Sequence, residues 1–192
     1  MKQENIKKLR EKTGVGVLNC QKALKESNGD INKALEILRK KGQKIVESKK
    51  SRATNEGRIG SYVHANGKIG VLVKVVCETD FVAKTDEFKQ LAHDLAMQVA
   101  ARNPKWLNAE EVSEEIKEKE KEIYKNEIKE DKPKDIMEKI INGKLEKFYN
   151  ENCLLRQDFI KDGDITIKEL LKRKISSIGE NIKIKEFTRF EL

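Results

Sequence analysis

The sequence predicts an α+β fold in which an N-terminal module of three helices is joined by a basic linker to a core of a small antiparallel sheet packed with helices. Three observations on the 192-residue chain carry this prediction. Apolar residues recur at helical spacing in three short bursts before residue 43. Two runs rich in β-branched residues flank Asn66-Gly67. From Phe88 onward the spacing is helical again, until a last strand-like run from Asn181 to Phe190. One hairpin followed by helices and a closing strand fits an α+β domain with a small antiparallel sheet.

The first burst is Ile6 and Leu9, the second Leu18, Ala23 and Leu24, the third Ile31, Ala34, Leu35 and Leu38. Asn19 is expected to cap the second helix and Gly29 to end it in a left-handed conformation; Asp30 is expected to cap the third and Gly42 to end it. Residues 1–43 form this module, near the lower size limit for independent stability. Residues 44–56 carry Lys44, Lys49, Lys50 and Arg52 on a mostly polar stretch and are read as the linker, partly helical. Residues 57–192 make up the α+β core.

In the core, Arg58 to His64 and Lys68 to Cys77 are strands, with Asn66-Gly67 as the hairpin turn. Val71, Val73, Val75 and Cys77 share one face and Lys74 and Glu78 the other, so the sheet is half-buried. Phe88, Leu91, Leu95, Met97, Val99 and Ala100 predict a strong helix ending near Asn103-Pro104. Ala109 to about Glu130 is a highly charged helix. Its apolar positions Val112, Ile116, Ile123 and Ile128 are too sparse for a heptad, which marks a solvated helix rather than a coiled coil. Pro133 to Asn142 and Lys144 to Tyr149 are a further helix or pair. Ile167, Leu170, Leu171, Ile175 and Ile178 mark an amphipathic helix ended by Gly179.

Composition narrows the function. Hydrophobic residues are 37% and charged residues 39% of the chain, and no run approaches the about 18 apolar residues of a membrane span. The start, Met1-Lys2-Gln3-Glu4-Asn5, lacks the apolar stretch of a secretory signal, so a soluble cytoplasmic protein is expected. Cys20, Cys77 and Cys153 are far apart without CxxC spacing and are read as small buried hydrophobes, neither disulfide framework nor zinc site. His64 and His93 lie outside any HExxH pattern, and there is no Gly-x-Ser-x-Gly. No enzyme, cofactor or metal signature is present. The net charge of +8 is concentrated: residues 1–52 hold 15 Lys+Arg against 6 Asp+Glu, leaving 26 against 27 for the rest. A basic N-terminal part favours an acidic partner, protein or nucleic acid.

Two glycine motifs fail as nucleotide sites. Thr13-Gly-Val-Gly16 has Asn19 where a third glycine belongs and lies between helices; Gly60 to Lys68 is too long for a phosphate loop and continues with Ile69 instead of Ser or Thr. Cys77-Glu-Thr-Asp-Phe-Val-Ala-Lys84 is the most unusual segment, placing Asp80 and Phe81 where a strand enters a helix. Local physics favours a plain role, with Thr79 or Asp80 capping the helix and Phe81 stapling it to the core. Val17-Leu18 is an apolar pair at a turn that does not fit one small core and is a candidate contact site.

These residues carry a resemblance. Leu9-Arg10, Thr13-Gly-Val-Gly16, Cys20-Gln-Lys-Ala-Leu24, Asn28-Gly-Asp30 and Ala34 resemble the N-terminal module of the translation elongation factor Ts family. Cys77 to Lys84 resembles that family's signature, and Ile178-Gly-Glu-Asn-Ile182 with Phe187-Thr-Arg-Phe-Glu191 its C-terminal portion. The resemblance spans nearly the whole chain in the right order. It implies a ubiquitin-associated-like (UBA-like) N-terminal module and a guanine-nucleotide exchange factor for elongation factor Tu, which makes no covalent bond and binds no nucleotide itself. Thr79, Asp80, Phe81 and Val82 are then the exchange wedge, with Asp80 and Phe81 inserted near the GTPase's magnesium and phosphate site. Lys7, Arg10, Val17 and Leu18 contact the nucleotide domain, and His64, Ile178 and Gly179 are further contacts. Val17-Leu18-Asn19 stands where Met-Met-Asp is common, and Gln157-Asp158-Phe159 where Gln-Pro-Phe is common. With one core copy the chain resembles the short form, which implies a homodimer and a two-plus-two complex.

Two other classes compete. Three small basic helices suit a nucleic-acid-binding unit, but aromatic residues are only 5% and the basic residues surround all three helices instead of lining one. A UBA-type adaptor leaves residues 77–84 without a role.

Overall fold

The structure is a computed structural model that describes residues 3–128 and 133–192. Along the chain come helices α1 (Gln3–Thr13), α2 (Val17–Glu26) and α3 (Ile31–Lys49), then strands β1 (Glu56–Val63) and β2 (Ile69–Cys77). Helices α4 (Asp80–Lys84), α5 (Asp86–Arg102), α6 (Glu114–Glu127) and α7 (Lys134–Asn152) follow. Strands β3 (Asp158–Phe159) and β4 (Asp162–Thr166), helix α8 (Ile167–Ile178) and strand β5 (Lys183–Glu191) complete it. The main sheet has the order β1-β2-β5, and β3 pairs with β4 in a second, two-stranded sheet. The α+β class with a small antiparallel sheet and an N-terminal helical module is as predicted. Among the described residues no helix is long and apolar enough to cross a membrane.

The chain divides into two compact units, of which the first comprises Met1–Gly60, Val73–Ala92 and Glu169–Lys185. Its helical module closes on Leu9, Cys20, Ala23, Leu24, Ala34 and Leu38, with Ile6, Val15, Ile31 and Leu35 packed around them. A fully buried leucine contributes about 1.5–3 kcal/mol. The Thr13 hydroxyl donates to the Leu9 carbonyl at 2.7 Å and ends α1. The Gly16 carbonyl then accepts the N–H groups of Asn19 and Cys20 at 3.0 and 3.1 Å, so α2 begins at Val17. Asn19 therefore lies inside the helix and is not its cap, a correction to the sequence reading: the turn supplies backbone where a side chain was expected. Gly29 does adopt φ +86°. Its N–H reaches the Leu24 carbonyl at 2.8 Å, and Asp30 caps α3 by accepting from Asn32 and Lys33 at 2.8 and 3.1 Å.

Gly42 does not end α3, which continues to Lys49. The glycine serves a close approach instead: a Cβ there would meet the Ser176 hydroxyl of α8 at 3.2 Å. In β2, Val73, Val75 and Cys77 are buried on the predicted face. Gly60 of β1 runs so close to α5 that a Cβ would lie 2.2 Å from the Ala92 carbonyl oxygen.

The second unit comprises Ser61–Leu72, His93–Lys168 and Glu186–Leu192. Its hairpin turn is the predicted Asn66-Gly67, with Gly67 at φ +69° and its N–H on the His64 carbonyl at 2.8 Å. The charged helix is shorter than expected. A 3-10 turn at Ala109–Glu111 precedes it, Val112 is buried, and Ser113 caps α6 by accepting from Ile116. The backbone is extended at Val112 and Ser113, so the helical run is broken where composition gave no sign of a break. The expected end at Glu130 lies outside the described residues. Of the further helix or pair expected after Pro133, the structure has one helix, α7, with Gly143 inside it and open space where its Cβ would lie. Val112, Leu145, Tyr149 and Cys153 form its core, with Trp106 and Phe148 packed against them.

Strands β3 and β4 were not foreseen. Asp158 pairs with Thr166 and Phe159 with Asp162 across a bulge, in runs too short for a period-2 signal. Two buried glutamines hold them. Gln98 donates to Gln157 Oε1 and the Asp158 carbonyl at 3.2 and 3.1 Å and accepts the Ile160 N–H at 2.9 Å; Gln157 donates to the Glu151 carbonyl at 2.7 Å.

Candidate functional site

The unusual segment after β2 leaves a buried strand and becomes a five-residue helix, α4. The Thr79 hydroxyl caps it, accepting the Val82 N–H at 3.4 Å. Thr79 thus fulfils the expected capping role, but Phe81 does not staple. Its ring is 80% exposed, which corrects the reading from local physics alone. A staple residue must point back to the core from before the cap, whereas Phe81 follows it and is turned outward. Asp80 beside it is half-buried, and Lys84, one turn on, is 2.6 Å from its carboxylate and holds that carboxyl below its usual range. Val82 is half-buried.

The loop is anchored at its base, residues 77–79. Cys77 is buried, and its thiol donates to the Thr79 carbonyl at 3.2 Å; burial, with the Glu180 carboxylate nearby, pushes it up to about 11. Glu180, just past α8, accepts the N–H groups of Glu78 and Thr79 at 3.1 and 3.0 Å and the Thr79 hydroxyl at 2.6 Å. Glu78 in turn accepts the Asn181 N–H at 2.7 Å and the Arg52 guanidinium at 3.1 Å. Burial would raise its carboxyl, but these two donors outweigh it and leave it below the usual value. Glu78, Glu180 and Asn181 were not named as site residues from sequence. Glu180 and Asn181 do stand in the Ile178-Gly-Glu-Asn-Ile182 motif, so a signal was present without a role attached to it.

The remaining candidates are placed as follows. Lys7 and Arg10 are exposed on α1, and Val17 and Leu18 are exposed in the first turn of α2, Leu18 at 72%. Ile178 and Gly179 are half-buried at the end of α8, where Gly179 takes φ +83°, and Glu180 brings them beside the loop. His64 belongs to the second unit; it is exposed after β1, its Nδ1 3.1 Å from the Tyr62 hydroxyl. Among the described residues no three or more His, Cys, Asp or Glu side chains are grouped to hold a metal ion. What the loop offers is a rigid apolar ring beside a carboxylate, suited to docking against another surface.

Comparison with known proteins agrees in kind. Residues 3–192 match the family model described as Elongation factor TS. The Elongation factor Ts of Thermotoga neapolitana is 58% identical over 187 residues, covering 97% of this chain and 94% of the relative. That of Thermotoga maritima is 56% identical over 187 residues with the same shares, 97% and 94%. That of Carboxydothermus hydrogenoformans is 53% identical over 188 residues, covering 97% of this chain and 87% of the relative. The chain belongs to the elongation factor Ts family.

Proposed function

We propose that this protein is the guanine-nucleotide exchange factor for elongation factor Tu and acts in translation elongation without making or breaking a covalent bond. The observation that carries the proposal is the outward-turned Phe81, 80% exposed beside Asp80 on a loop whose base, Glu78 and Thr79, is held by hydrogen bonds. An aromatic ring presented on a fixed support is suited to act as the anchor of an interface, filling a pocket on a partner.

In this reading Phe81 is a wedge and Asp80 takes hydrogen-bond donors that otherwise order the GTPase's magnesium and phosphate site. GDP is held by many charge-assisted contacts that share one geometry, so a shift of about an ångström weakens several together. Binding is reciprocal, and a factor that loosens the nucleotide must bind the empty GTPase more tightly by the same ratio. Thr79 and Val82 shape the wedge. Lys7, Arg10, Val17 and Leu18 form a second contact, through two cations and an exposed apolar pair. Ile178, Gly179 and His64 are contacts of the core. Residues 1–43 act as a separable module, supported by a hydrophobic cluster of their own; residues 44–56 join it to the core, residues 57–192.

We further propose a homodimer working in the cytoplasm. In the second unit Val63, Leu72 and Phe190 are exposed on strands of the sheet, apolar side chains available to a second copy. Light scattering should give a mass near twice 22.1 kDa.

The function is tested by release of a fluorescent GDP analogue from bacterial elongation factor Tu with catalytic amounts of this protein. Acceleration is expected, and Phe81→Ala should lower it at least about tenfold, or ~1.4 kcal/mol of transition-state stabilisation. A folded protein that gives no acceleration would overturn the proposal.

A further inference from the structure

The wedge loop takes its shape from a residue about a hundred positions away. A threonine hydroxyl has one proton to give. In Thr79 that proton goes to Glu180 Oε1 at 2.6 Å, which leaves the lone pairs facing the Val82 N–H at 3.4 Å, as a helix cap requires. The other oxygen of the same carboxylate takes the N–H groups of Glu78 and Thr79 at 3.1 and 3.0 Å. Three donors on one ionised acceptor are charge-assisted bonds, about twice as strong as neutral ones.

The carboxylate is itself fixed. Asn181, the next residue, is 3% exposed; its N–H binds Glu78 at 2.7 Å, and its side-chain amide donates to the Lys50 and Arg52 carbonyls at 3.3 and 3.0 Å. Arg52 returns to Glu78 at 3.1 Å. Residues 50–52, 78–79 and 180–181 therefore close into one hydrogen-bonded knot directly beneath α4.

We propose that Glu180 is a positioning residue for nucleotide exchange: its carboxylate orients the Thr79 cap and so fixes the direction in which Asp80 and Phe81 leave the protein. The inference rests on the exchange function proposed above. A wedge transmits force only if its base does not yield, and ordering a loose base on binding would consume part of the binding energy. Glu180 acts on the partner through Asp80 and Phe81, so most of its effect must disappear when Phe81 is absent, leaving only the share carried by Asp80.

That dependence is the test. Release of the fluorescent GDP analogue is measured with wild type, Glu180→Ala, Phe81→Ala and the double variant, alongside thermal melts and amide hydrogen exchange at Thr79 and Val82. Glu180→Ala should slow release about tenfold and speed amide exchange at both positions. In the Phe81→Ala background it should add less than about a twofold effect. Glu180→Gln, which keeps one acceptor oxygen, should restore part of the rate. If Glu180→Ala folds poorly, Glu180→Gln and Thr79→Val take its place in the same cycle. Full additivity with Phe81→Ala, or a wild-type rate with unchanged amide exchange, would overturn the inference alone. No acceleration by the wild type would overturn the exchange function as well.

Discussion

The ammonium group of Lys84 lies 2.6 Å from the carboxylate of Asp80, one helical turn earlier and on a helix only five residues long. Both side chains are solvent-accessible, at 74% and 46%. An exposed i,i+4 pair contributes little to stability, because solvent and salt screen it. Lys84→Met should therefore lower the melting temperature by no more than ~2 °C. A calorimetric shift well beyond that would mean the pair holds α4 together.

Phe81 and Phe88 are seven residues apart and opposite in environment. Phe88 is fully buried, so Phe88→Ala should cost about 3–5 kcal/mol. Phe81→Ala removes an exposed ring and should change stability by less than ~0.5 kcal/mol. Urea unfolding of the two variants separates loss of fold from loss of the exposed ring.

Glycine substitutions should show opposite signs. A Cβ at Gly60 would lie 2.2 Å from the Ala92 carbonyl oxygen, and backbone there has nowhere to move, so Gly60→Ala should destabilise by at least ~2 kcal/mol. Gly143 lies within α7 with open space around it, so Gly143→Ala should stabilise by about 0.5–1 kcal/mol. Paired thermal melts check both.

All three cysteines are buried, and burial raises each thiol, Cys77 to about 11. At neutral pH the thiolate, the reactive form, is scarce. A disulfide exchange reagent such as DTNB should leave the native protein essentially unmodified over minutes and react with all three after unfolding. Rapid native labelling at Cys77 would mean that the base of the loop opens readily.

Glu78 has a folded-state value below its ordinary 4.5. Such a carboxylate favours the folded state in full above the unfolded value and loses that contribution as pH falls through the folded one. The stability difference between wild type and Glu78→Gln should be steady from neutral pH to about 5 and shrink below about 4.5. Melting temperatures across that range check the sign.

Much of the fold was legible because it rests on local chemistry. Asp30 caps α3, Gly29 and Gly179 take positive φ, and Asn66-Gly67 turns the hairpin, each as its residue type requires. Errors arose where a distant partner decides. Gly42 looks like a helix stop until Ser176 is seen packing against it; Asn19 looks like a cap until the Gly16 carbonyl is seen to start α2. Strands β3 and β4 depend on Gln98, some sixty residues earlier. At the site, the pattern gave the unusual segment and the resemblance gave Asp80 and Phe81 a role. That Phe81 points outward and Glu180 reaches Thr79 follows from the tertiary fold, because no periodicity records a hydrogen bond across 101 positions.

That separation also sets an order in time. The partners of Glu78 and Thr79 lie 101 to 103 residues downstream, at Glu180 and Asn181. Synthesis at about 5–20 residues per second puts roughly 5–20 s between translation of the loop and translation of the residues that grip it. A half-made chain on the ribosome carries Asp80 and Phe81 without their support, and a chain truncated before Glu180 never acquires it.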